Sequence, residues 1–212
     1  MPRKKSIPSS TPLDGVSPRR SAILHAAFAV LMEHGYAGAS TLEIATRAKV
    51  SKRELYAEFG NKAGILNALI AATSARMQVP LRATEITDRP ALAAALVRYG
   101  VTALGELTVP AVIAINRLAV AEAGRSSDMG QVLETAGREP NRRAMIDLFA
   151  RAQARDLVGS GDPDVMAGQF FSLLTGDLLL RLMLGVARAP TAAEIARRAE
   201  AATDAVLRLN TP

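Results

Sequence analysis

The sequence predicts an all-α protein with a small N-terminal and a larger C-terminal helical unit. Throughout the C-terminal half the apolar residues recur at helical spacing, and no segment alternates as a half-buried strand would. Ser/Thr-x-x-Glu signatures, which are typical of a capping box at a helix start, begin at Ser40, Ser51 and Thr191. We therefore expect a three-helix helix-turn-helix domain over residues 18–62 and a larger helical domain over residues 63–212.

Size and charge narrow the possible functions. With 212 residues, of which 49% are apolar, the chain can bury one substantial core and a small second unit. Its net charge is +6; residues 1–62 hold ten basic and five acidic side chains, whereas the other 150 residues hold 16 and 15. This concentration of positive charge indicates that the N-terminal part binds phosphates. The absence of cysteine excludes disulfides and thiolate metal sites, and it is compatible with the cytoplasm, where we expect the protein.

The first helix is expected to follow an irregular arm. Residues 1–17 are rich in Pro, Ser, Lys and Arg without periodicity, which predicts a flexible basic arm, and no apolar segment follows the charges as in a secretory signal. Pro18 suits the first turn of a helix, and Gly35 suits the stop after His34. The expected inner stripe of this helix consists of Ile23, Ala27, Val30 and Leu31.

Residues 40–62 predict two short helices joined by a tight turn and followed by a new helix start. The first, from Thr41 to Ala48, should place its apolar residues on one side; these are Leu42, Ala45 and Ala48. The second, from Lys52 to Phe59, should turn Leu55 and Phe59 the same way. Both helices can then share one small core, which is the layout of a helix-turn-helix that binds DNA.

The opposite side of the second helix carries three residues that no packed core requires, namely Lys52, Arg53 and Tyr56. Glu54 on the same helix would repel phosphates, but at the third helical position its first role is to cap the helix start together with Ser51. Accepting a hydrogen bond from a cytosine amino group is the alternative role for Glu54.

Several spaced motifs occur between residues 19 and 70. They are Arg-x-x-Ile-Leu-x-Ala-Ala at 20–27, Glu-x-Gly-Tyr at 33–36, Ser-Thr-x-x-Ile-Ala at 40–45, Val-Ser-Lys-Arg-x-Leu-Tyr-x-x-Phe at 50–59, and Lys62. In these motifs the segment resembles the N-terminal DNA-binding domain of the TetR family of bacterial transcriptional regulators. Residues 117–125 and 170–182 more weakly resemble the ligand-binding half of the AefR-like branch of that family.

The resemblance implies a homodimeric repressor that a small-molecule ligand releases from a double-stranded DNA operator. Together with the exposed side of the second helix, it assigns Lys52, Arg53 and Tyr56 to the major groove, and Thr41 and Lys62 to flanking phosphates. The full set of expected DNA-binding residues is Ser40, Thr41, Lys49, Ser51, Lys52, Arg53, Tyr56 and Lys62.

Two further features bear on DNA binding. The family usually has glycine where this chain has Lys49, so either the turn is strained or re-aimed, or the lysine reaches a phosphate. Arg3, Lys4 and Lys5 of the basic arm should add non-specific affinity by following the DNA backbone or entering the minor groove.

After the helix-turn-helix, Asn61 is expected to cap a longer helix that runs toward Gln78 and joins the two domains, with Pro80 as its end. Later breaks between helices are expected where glycine or proline occurs in a polar stretch. These positions are 108–110, 124–128, 137–140, 159–163 and 189–190.

The last two predicted helices, over residues 163–187 and 191–209, have more apolar surface than one chain can cover. The former has two apolar rows, Phe170, Leu173, Leu180 and Leu184 in one and Phe171, Leu174, Leu178 and Leu182 in the other. The latter forms a seam for another helix, made of Ala192, Ile195, Ala199, Ala202, Val206 and Leu209. We therefore expect a homodimer through residues 163–209 with a four-helix interface.

The C-terminal unit is the expected ligand-binding and dimerisation domain, because it holds polar side chains within apolar stretches. These are Tyr99, Asn116, Arg117, Glu122, Gln169, Asp177 and Arg181. The candidates for orienting an apolar or amphipathic ligand in a cavity are Tyr99, Asn116, Arg117 and Asp177. The alternative for Asp177 and Arg181, which are four residues apart, is a salt bridge at a helix interface. Because these two charges interrupt the apolar run, no membrane-spanning segment is expected.

Catalytic and metal chemistry are not expected. His25 and His34 lie nine residues apart on one helix and hence on opposite sides, so they cannot share a metal. No serine, aspartate or lysine occurs in a nucleophile motif, and no motif indicates a cofactor. The competing hypothesis is a helical ligand-binding or scaffold protein whose helix-turn-helix no longer binds DNA, which Lys49, Glu54 and Glu58 favour.

Overall fold

The computed structural model describes residues 17–82, 84–125 and 128–212, and the regular elements within these ranges are all helical, as predicted. In chain order they are α1 (Pro18–Gly38), α2 (Thr41–Arg47), α3 (Lys52–Phe59), α4 (Lys62–Arg82), α5 (Arg89–Leu107), α6 (Pro110–Glu122), α7 (Asp128–Val132), a π-helical turn (Leu133–Arg138), α8 (Glu139–Gln153), α9 (Pro163–Thr175), α10 (Leu178–Leu184) and α11 (Ala192–Leu209). The arm predicted over residues 1–17 lies outside the described residues, apart from Ser17.

The N-terminal domain packs α1, α2, α3 and the first half of α4 around one core. Ser17 begins α1 by accepting a hydrogen bond from the backbone N–H of Arg20 (3.2 Å). Gly35, at φ 67°, interrupts the helix where the sequence predicted its end. The predicted inner stripe of α1 is buried, and α6 also contributes to this core through Ile115. The other members are Leu24, Ala26, Ala39, Ile44, Ala45, Leu55, Phe59, Ile65, Leu66 and Leu69.

Two details of α2 differ from the prediction. Leu42 is 62% exposed instead of buried, and Ile44 takes its place beside Ala45 in the core. A helix of seven residues is too short for its own apolar spacing to fix its rotation, so packing against α1 and α3 decides it. The capping box predicted at Ser40 is also absent: Ser40 forms no side-chain cap, and Glu43 instead pairs with Arg47 at 2.5 Å.

The helix α4 belongs to both domains. Asn61 caps it, as predicted, by accepting a hydrogen bond from the backbone N–H of Gly64 (2.8 Å). Its first half lies in the N-terminal core, and its second half contributes Met77 and Leu81 to the C-terminal core. The prediction that it ends at Pro80 is wrong, because a proline in the last turn removes only one backbone donor and the helix continues for two more residues.

The junction between α3 and α4 is tight. Gly60, at φ 74°, turns the chain after Phe59. A Cβ on Gly64 would lie 1.9 Å from the carbonyl oxygen of Phe59, so only glycine fits at position 64. Backbone contact therefore joins the end of α3 to the start of α4.

The C-terminal core is built from α4, α5, α8, α9 and α11. The seam predicted on α11 is occupied within the same chain, because Ala199, Ala202 and Val206 are buried in this core. The packing on α5 is so close that a Cβ on Gly100 would lie 2.9 Å from the Cβ of Ala199. The buried part of the seam therefore contacts no second chain, and its two ends, Ala192 and Leu209, are exposed.

The break predicted at 137–140 is wrong, because the chain stays helical there. In the π-helical turn the backbone N–H of Glu139 donates to the carbonyl of Glu134, five residues earlier, and α8 follows directly. Pro140 has no N–H to donate, so it fits the point where the hydrogen bonds change from i−5 to i−4 partners.

A break that the sequence analysis did not predict divides the segment 163–187 into α9 and α10. Gly176, at φ 47°, ends α9, and α10 follows at an angle of 47°. Leu173, Leu180 and Leu184 form an outward row, 38, 56 and 66% exposed, whereas Phe170, Leu174 and Leu182 are buried. The predicted rows therefore hold, except that Phe170 belongs to the inward one.

Among the described residues, no single helix is long and apolar enough to cross a membrane. By length and composition alone, two bent helix pairs reach that threshold together, α5 with α6 at 70° and α9 with α10 at 47°.

Candidate nucleic-acid interface

The helix α3 begins with the capping box that the sequence predicted. Ser51 Oγ accepts a hydrogen bond from the backbone N–H of Glu54 (3.1 Å), and the Glu54 carboxylate accepts one from the backbone N–H of Ser51 (2.7 Å). These hydrogen bonds, followed by the charge of Arg19, lower the pKa of Glu54. The carboxylate is therefore charged near neutral pH and bound to the helix start.

The turn before α3 contains Lys49 in a left-handed conformation, with φ 55°. Glycine adopts this region without a steric penalty, whereas a residue with a Cβ is destabilised there. Backbone hydrogen bonds from Lys49 to Thr46 (3.2 Å) and from Val50 to Ala45 (3.0 Å) hold the turn in this shape. The strain expected at Lys49 is thus present, and its side chain is exposed.

Lys52, Arg53 and Tyr56 form the exposed face of α3, opposite the fully buried Leu55. The hydroxyl oxygens of Tyr56 and Thr41 lie 2.9 Å apart, so a hydrogen bond joins this face to the start of α2. Lys52 Nζ lies 5.6 Å from the centroid of the Tyr56 ring, which is within the range of a cation–π contact. The structure thus brings Thr41, Lys52 and Tyr56 together.

The other predicted DNA-binding residues flank this face. Ser40 and Ser51 are exposed and immediately precede α2 and α3. Lys62 is the first residue of α4, and its Nζ lies 4.7 Å from the centroid of the Tyr36 ring. The Tyr36 ring therefore limits where the Lys62 ammonium can go.

Two arginines of α1 neutralise the acidic residues of α3. Arg19 pairs with Glu54 at 2.7 Å, and Arg20 pairs with Glu58 at 2.5 Å. The Arg20 guanidinium also lies over the ring of Phe59, 4.7 Å from its centroid. These pairs were not predicted from the sequence, although two adjacent arginines at the start of an apolar helix were a signal for them. The carboxylates that favoured a helix-turn-helix unable to bind DNA thus each have a cationic partner.

A second cluster of charges joins α1 to α2. Arg47 donates to both carboxylate oxygens of Glu33 (2.8 and 2.6 Å) and to Glu43 (2.5 Å), and His34 Nε2 lies 3.4 Å from Glu43. The hydrogen bond from Arg47 lowers the pKa of Glu33. Glu33, His34 and Glu43 are close enough to hold a metal ion, but the guanidinium already supplies their positive charge. These contacts hold α2 against α1, and they thereby also position the turn at Lys49 that follows α2.

The four residues predicted for a ligand cavity have separate partners. The buried Tyr99 hydroxyl donates to an asparagine of α8 (3.2 Å), and the Asn116 amide donates to a carbonyl of its own helix (2.8 Å). Arg117 donates to two backbone carbonyls at the end of α10. Asp177 pairs with Arg181 at 3.7 Å, as the alternative interpretation predicted, but both side chains are exposed and do not lie in a helix interface. The structure therefore does not gather these four around one cavity.

A helix-turn-helix with a basic, exposed second helix, joined to a second helical domain, defines the class of helix-turn-helix transcriptional regulators. Comparison with known proteins identifies the family. Residues 23–69 match the family model described as bacterial regulatory proteins, tetR family, and residues 94–209 match the one described as AefR-like transcriptional repressor, C-terminal domain. The chain belongs to the TetR family, and it is a transcriptional regulator rather than an enzyme.

Relatives resemble the chain over almost its whole length. The crystal structure of a TetR transcriptional regulator from Agrobacterium tumefaciens is 30% identical, with a TM-score of 0.76, over 92% of this chain and 95% of that chain. The flavonoid-responsive regulator FrrA is 27% identical, with a TM-score of 0.65, over 93% of this chain and 99% of FrrA. The uncharacterized HTH-type transcriptional regulator YvkB of Bacillus subtilis (strain 168) is 27% identical over 79% of this chain and 85% of its own.

Proposed function

We propose that the protein is a homodimeric transcriptional repressor of the cytoplasm that leaves its operator when a small molecule binds. The DNA-binding part of this proposal rests on the exposed face of α3. Lys52, Arg53 and Tyr56 face solvent there, and ion pairs with arginines of α1 neutralise Glu54 and Glu58. The repressor role is supported by the description of the C-terminal family model, and the response to a ligand by the name of FrrA. A gel shift with the DNA upstream of its own gene tests the proposal, and no shift would favour the scaffold hypothesis.

In this proposal Lys52, Arg53 and Tyr56 contact base edges in the major groove, and the flanking residues contact phosphates. The flanking residues are Ser40, Thr41, Lys49, Ser51 and Lys62. Lys62→Ala should then weaken binding to all sequences alike and lower the salt dependence by about one counterion per subunit. Arg53→Ala should instead weaken operator binding more than binding to unrelated DNA. An unchanged salt slope for Lys62→Ala would contradict this assignment.

The arm over residues 1–17 is proposed to add non-specific affinity through Arg3, Lys4 and Lys5. A chain that begins at Ser17 should therefore bind any duplex more weakly at low salt. If the shortened chain binds duplex DNA as tightly as the full chain, the arm serves only as a solubilising tail.

Dimerisation is proposed through the outward row on α9 and α10, together with the outer side of α11. Leu180 and Leu184, which are one helical turn apart, are 56 and 66% exposed, and neighbouring exposed leucines of this kind often mark a protein–protein interface. Leu180→Glu should give monomers in sedimentation, and these should lose operator binding because a dimer must contact two half-sites together. Val120→Glu on α6, which changes an equally exposed valine, is the matched control and should stay dimeric.

The proposed ligand is an apolar or amphipathic small molecule bound in the C-terminal domain. Tyr99, Asn116, Arg117 and Asp177 are separate candidates for contacting it, because they do not surround one cavity. It must favour a dimer in which the two copies of α3 no longer match successive major grooves, through a change in the tilt of α4. By reciprocity, operator DNA must weaken ligand binding by the same factor, typically about 5–150-fold. Calorimetry with and without operator measures that factor, and equal affinities would argue against the switch.

A further inference from the structure

A groove runs between α4 and the π-helical turn. The groove is open to solvent, and its volume of about 510 Å³ lies within the range of small-molecule sites, roughly 300–1,000 Å³. Ser74, Gln78 and Arg82 line it from α4, and Thr135 and Pro140 line it from the opposite side. None of the four residues predicted for the ligand cavity lines this groove.

The α4 side chains of the groove form a hydrogen-bonded row. Arg82 donates to the amide oxygen of Gln78 (2.6 Å), and the amide nitrogen of Gln78 donates to Ser74 Oγ (3.1 Å). Gln78 and Ser74 are each only 3% exposed, so their polar atoms are fixed in the wall of the groove. The outer end of the row is a guanidinium, whose position Gln78 sets.

The row continues into the C-terminal core. Asn141 donates to Ser74 Oγ (2.8 Å) and to the Gly137 carbonyl (2.8 Å), and the Tyr99 hydroxyl donates to Asn141 (3.2 Å). Ser74 also donates to the Gly137 carbonyl (3.1 Å), which belongs to the π-helical turn. A ligand that rearranges the outer end of the row would therefore act on the bonds that hold the π-helical turn to α4.

The charge of the groove indicates which ligand it accepts. Arg82 is the one charged residue among those that line it, and its hydrogen-bond partner there is the neutral amide of Gln78. A guanidinium in this situation favours a carboxylate, which it can bind through two parallel hydrogen bonds. Ala71, Ala75 and Ala136 provide a small apolar surface beside it. One positive charge next to an apolar surface matches a ligand with one negative charge and an apolar body.

We propose that this groove binds a small monocarboxylate, with its carboxylate on Arg82 and its apolar body on the alanines. That this ligand releases the operator rests on the function proposed above. The contacts support such a role, because Thr135 and Ala136 line the groove while Leu133, in the same π-helical turn, packs against the core of the DNA-binding domain. A π-helical turn is also an element often found at functional sites.

The binding test uses the full chain without DNA. Octanoate and benzoate serve as an aliphatic and an aromatic monocarboxylate, and octanamide and benzamide as their neutral counterparts, in calorimetric titrations. At least one carboxylate should bind saturably, about tenfold or more tightly than its amide, because the charged hydrogen bond to Arg82 is lost with the amide. Absence of saturable binding by both carboxylates, or equal affinity of acid and amide, overturns the proposal.

Three variants locate the site. Arg82→Gln should reduce the carboxylate affinity about tenfold or more and leave the amide unaffected, whereas Arg143→Gln, at an exposed arginine of α8 paired with Glu139, should change neither. Thr135→Trp should block the groove from its opposite, exposed side without altering Arg82. Circular dichroism confirms that each variant is folded. Full carboxylate affinity in both Arg82→Gln and Thr135→Trp would place the ligand elsewhere and overturn the proposal.

A separate titration tests the role of the ligand. Fluorescence anisotropy with labelled operator should show weaker DNA binding in the presence of the carboxylate for the wild type, and no such effect for Arg82→Gln. Binding that depends on Arg82 but leaves operator affinity unchanged supports the groove as a site and overturns its role in release. Failure to bind operator at all would contradict the proposed repressor function, and it would leave the calorimetric result on the groove valid.

Discussion

The two domains hold their polar side chains in opposite ways. Around α3 the polar contacts are exposed ion pairs, such as Arg19 with Glu54 and Arg20 with Glu58. The C-terminal domain also has ion pairs on its surface, but its core contains buried hydrogen bonds between neutral groups, in the row from Gln78 through Ser74 to Asn141.

This difference determines which polar contacts can exchange partners and which ones stabilise the fold. An exposed ion pair contributes about 0–1 kcal/mol and weakens in salt, so it can be exchanged when phosphates approach. A buried hydrogen-bonded group leaves its partners unsatisfied when it is removed, at a cost of about 1–3 kcal/mol for each. The DNA-binding surface can therefore change partners at small cost, whereas the C-terminal network keeps α4, α5 and α8 in one arrangement.

The largest effect is expected from Asn141→Ala, which removes the centre of the buried network. The Tyr99 hydroxyl would lose its acceptor, and Ser74 and the Gly137 carbonyl would each lose a donor. We expect the free energy of unfolding in urea to fall by about 3 kcal/mol. Asn116→Ala, which breaks a hydrogen bond within one helix, is the matched control and should cost less than about 1 kcal/mol. Equal losses in the two variants would show that the buried network contributes no more to stability than one hydrogen bond within a helix.

A smaller effect of opposite sign is expected in the DNA-binding domain. Lys49→Gly should raise the free energy of unfolding by about 0.5–1 kcal/mol, because the left-handed strain at φ 55° is relieved and the greater freedom of glycine in the unfolded chain offsets only part of that gain. Operator affinity is measured on the same variant. Weaker DNA binding by a more stable protein would indicate that the Lys49 side chain contacts a phosphate, and lower stability would contradict the strain.

The exposed pair between Arg20 and Glu58 should matter more for DNA binding than for stability. Arg20→Ala and Glu58→Gln should each change the free energy of unfolding by less than about 1 kcal/mol. Arg20→Ala should nevertheless weaken DNA binding, because it leaves the Glu58 carboxylate unpaired near the phosphates, and the double variant should recover part of the affinity. If Glu58→Gln restores nothing in the Arg20→Ala background, Arg20 acts by its own contact with DNA.

The smallest effect concerns an exposed carboxylate of the C-terminal domain. The hydrogen bond from Arg188, followed by those from Thr191, lowers the pKa of Glu194 from 4.5 to about 2. A lowered pKa stabilises the fold while the group is charged, so this contribution is complete above about pH 4.5 and is lost as the pH falls toward 2. Urea midpoints at pH 5 and pH 3 should therefore differ less for Glu194→Gln than for the wild type. An identical pH difference in both proteins would show that Glu194 does not contribute.

Local signals in the sequence predicted the helix starts well. The capping boxes at Ser51 and Thr191 form as expected, because each involves atoms only three residues apart. The same signature failed at Ser40, where Glu43 pairs with Arg47 and Ser40 forms no side-chain cap. An arginine partner does not by itself prevent a capping box, because Glu54 and Glu194 pair with Arg19 and Arg188 and still cap their helices. The orientation of the carboxylate at Glu43 is set by contacts between α1 and α2, which the local signature does not contain.

Contacts between distant residues could not be predicted in the same way. Tyr99 was selected correctly as a polar residue in apolar surroundings, but its partner Asn141 lies 42 residues away. The groove depends on Ser74 meeting Gly137, 63 residues later, across a π-helical turn that the sequence analysis interpreted as a break. Helical periodicity gives the inward side of each helix and carries no information on which helix will face it.

The close backbone contact at Gly64 joins α3 rigidly to α4, so the two helices move together. With 21 residues at about 1.5 Å each, α4 is roughly 31 Å long, so a rotation of about 5° at its far end displaces the near end by about 3 Å. A side chain at position 64 would open a gap between Phe59 and α4 in which such a displacement could be absorbed. Because no gap exists, α3 must follow α4, and an angular change of about 5° would shift α3 by about a quarter of the width of the major groove, which is about 12 Å.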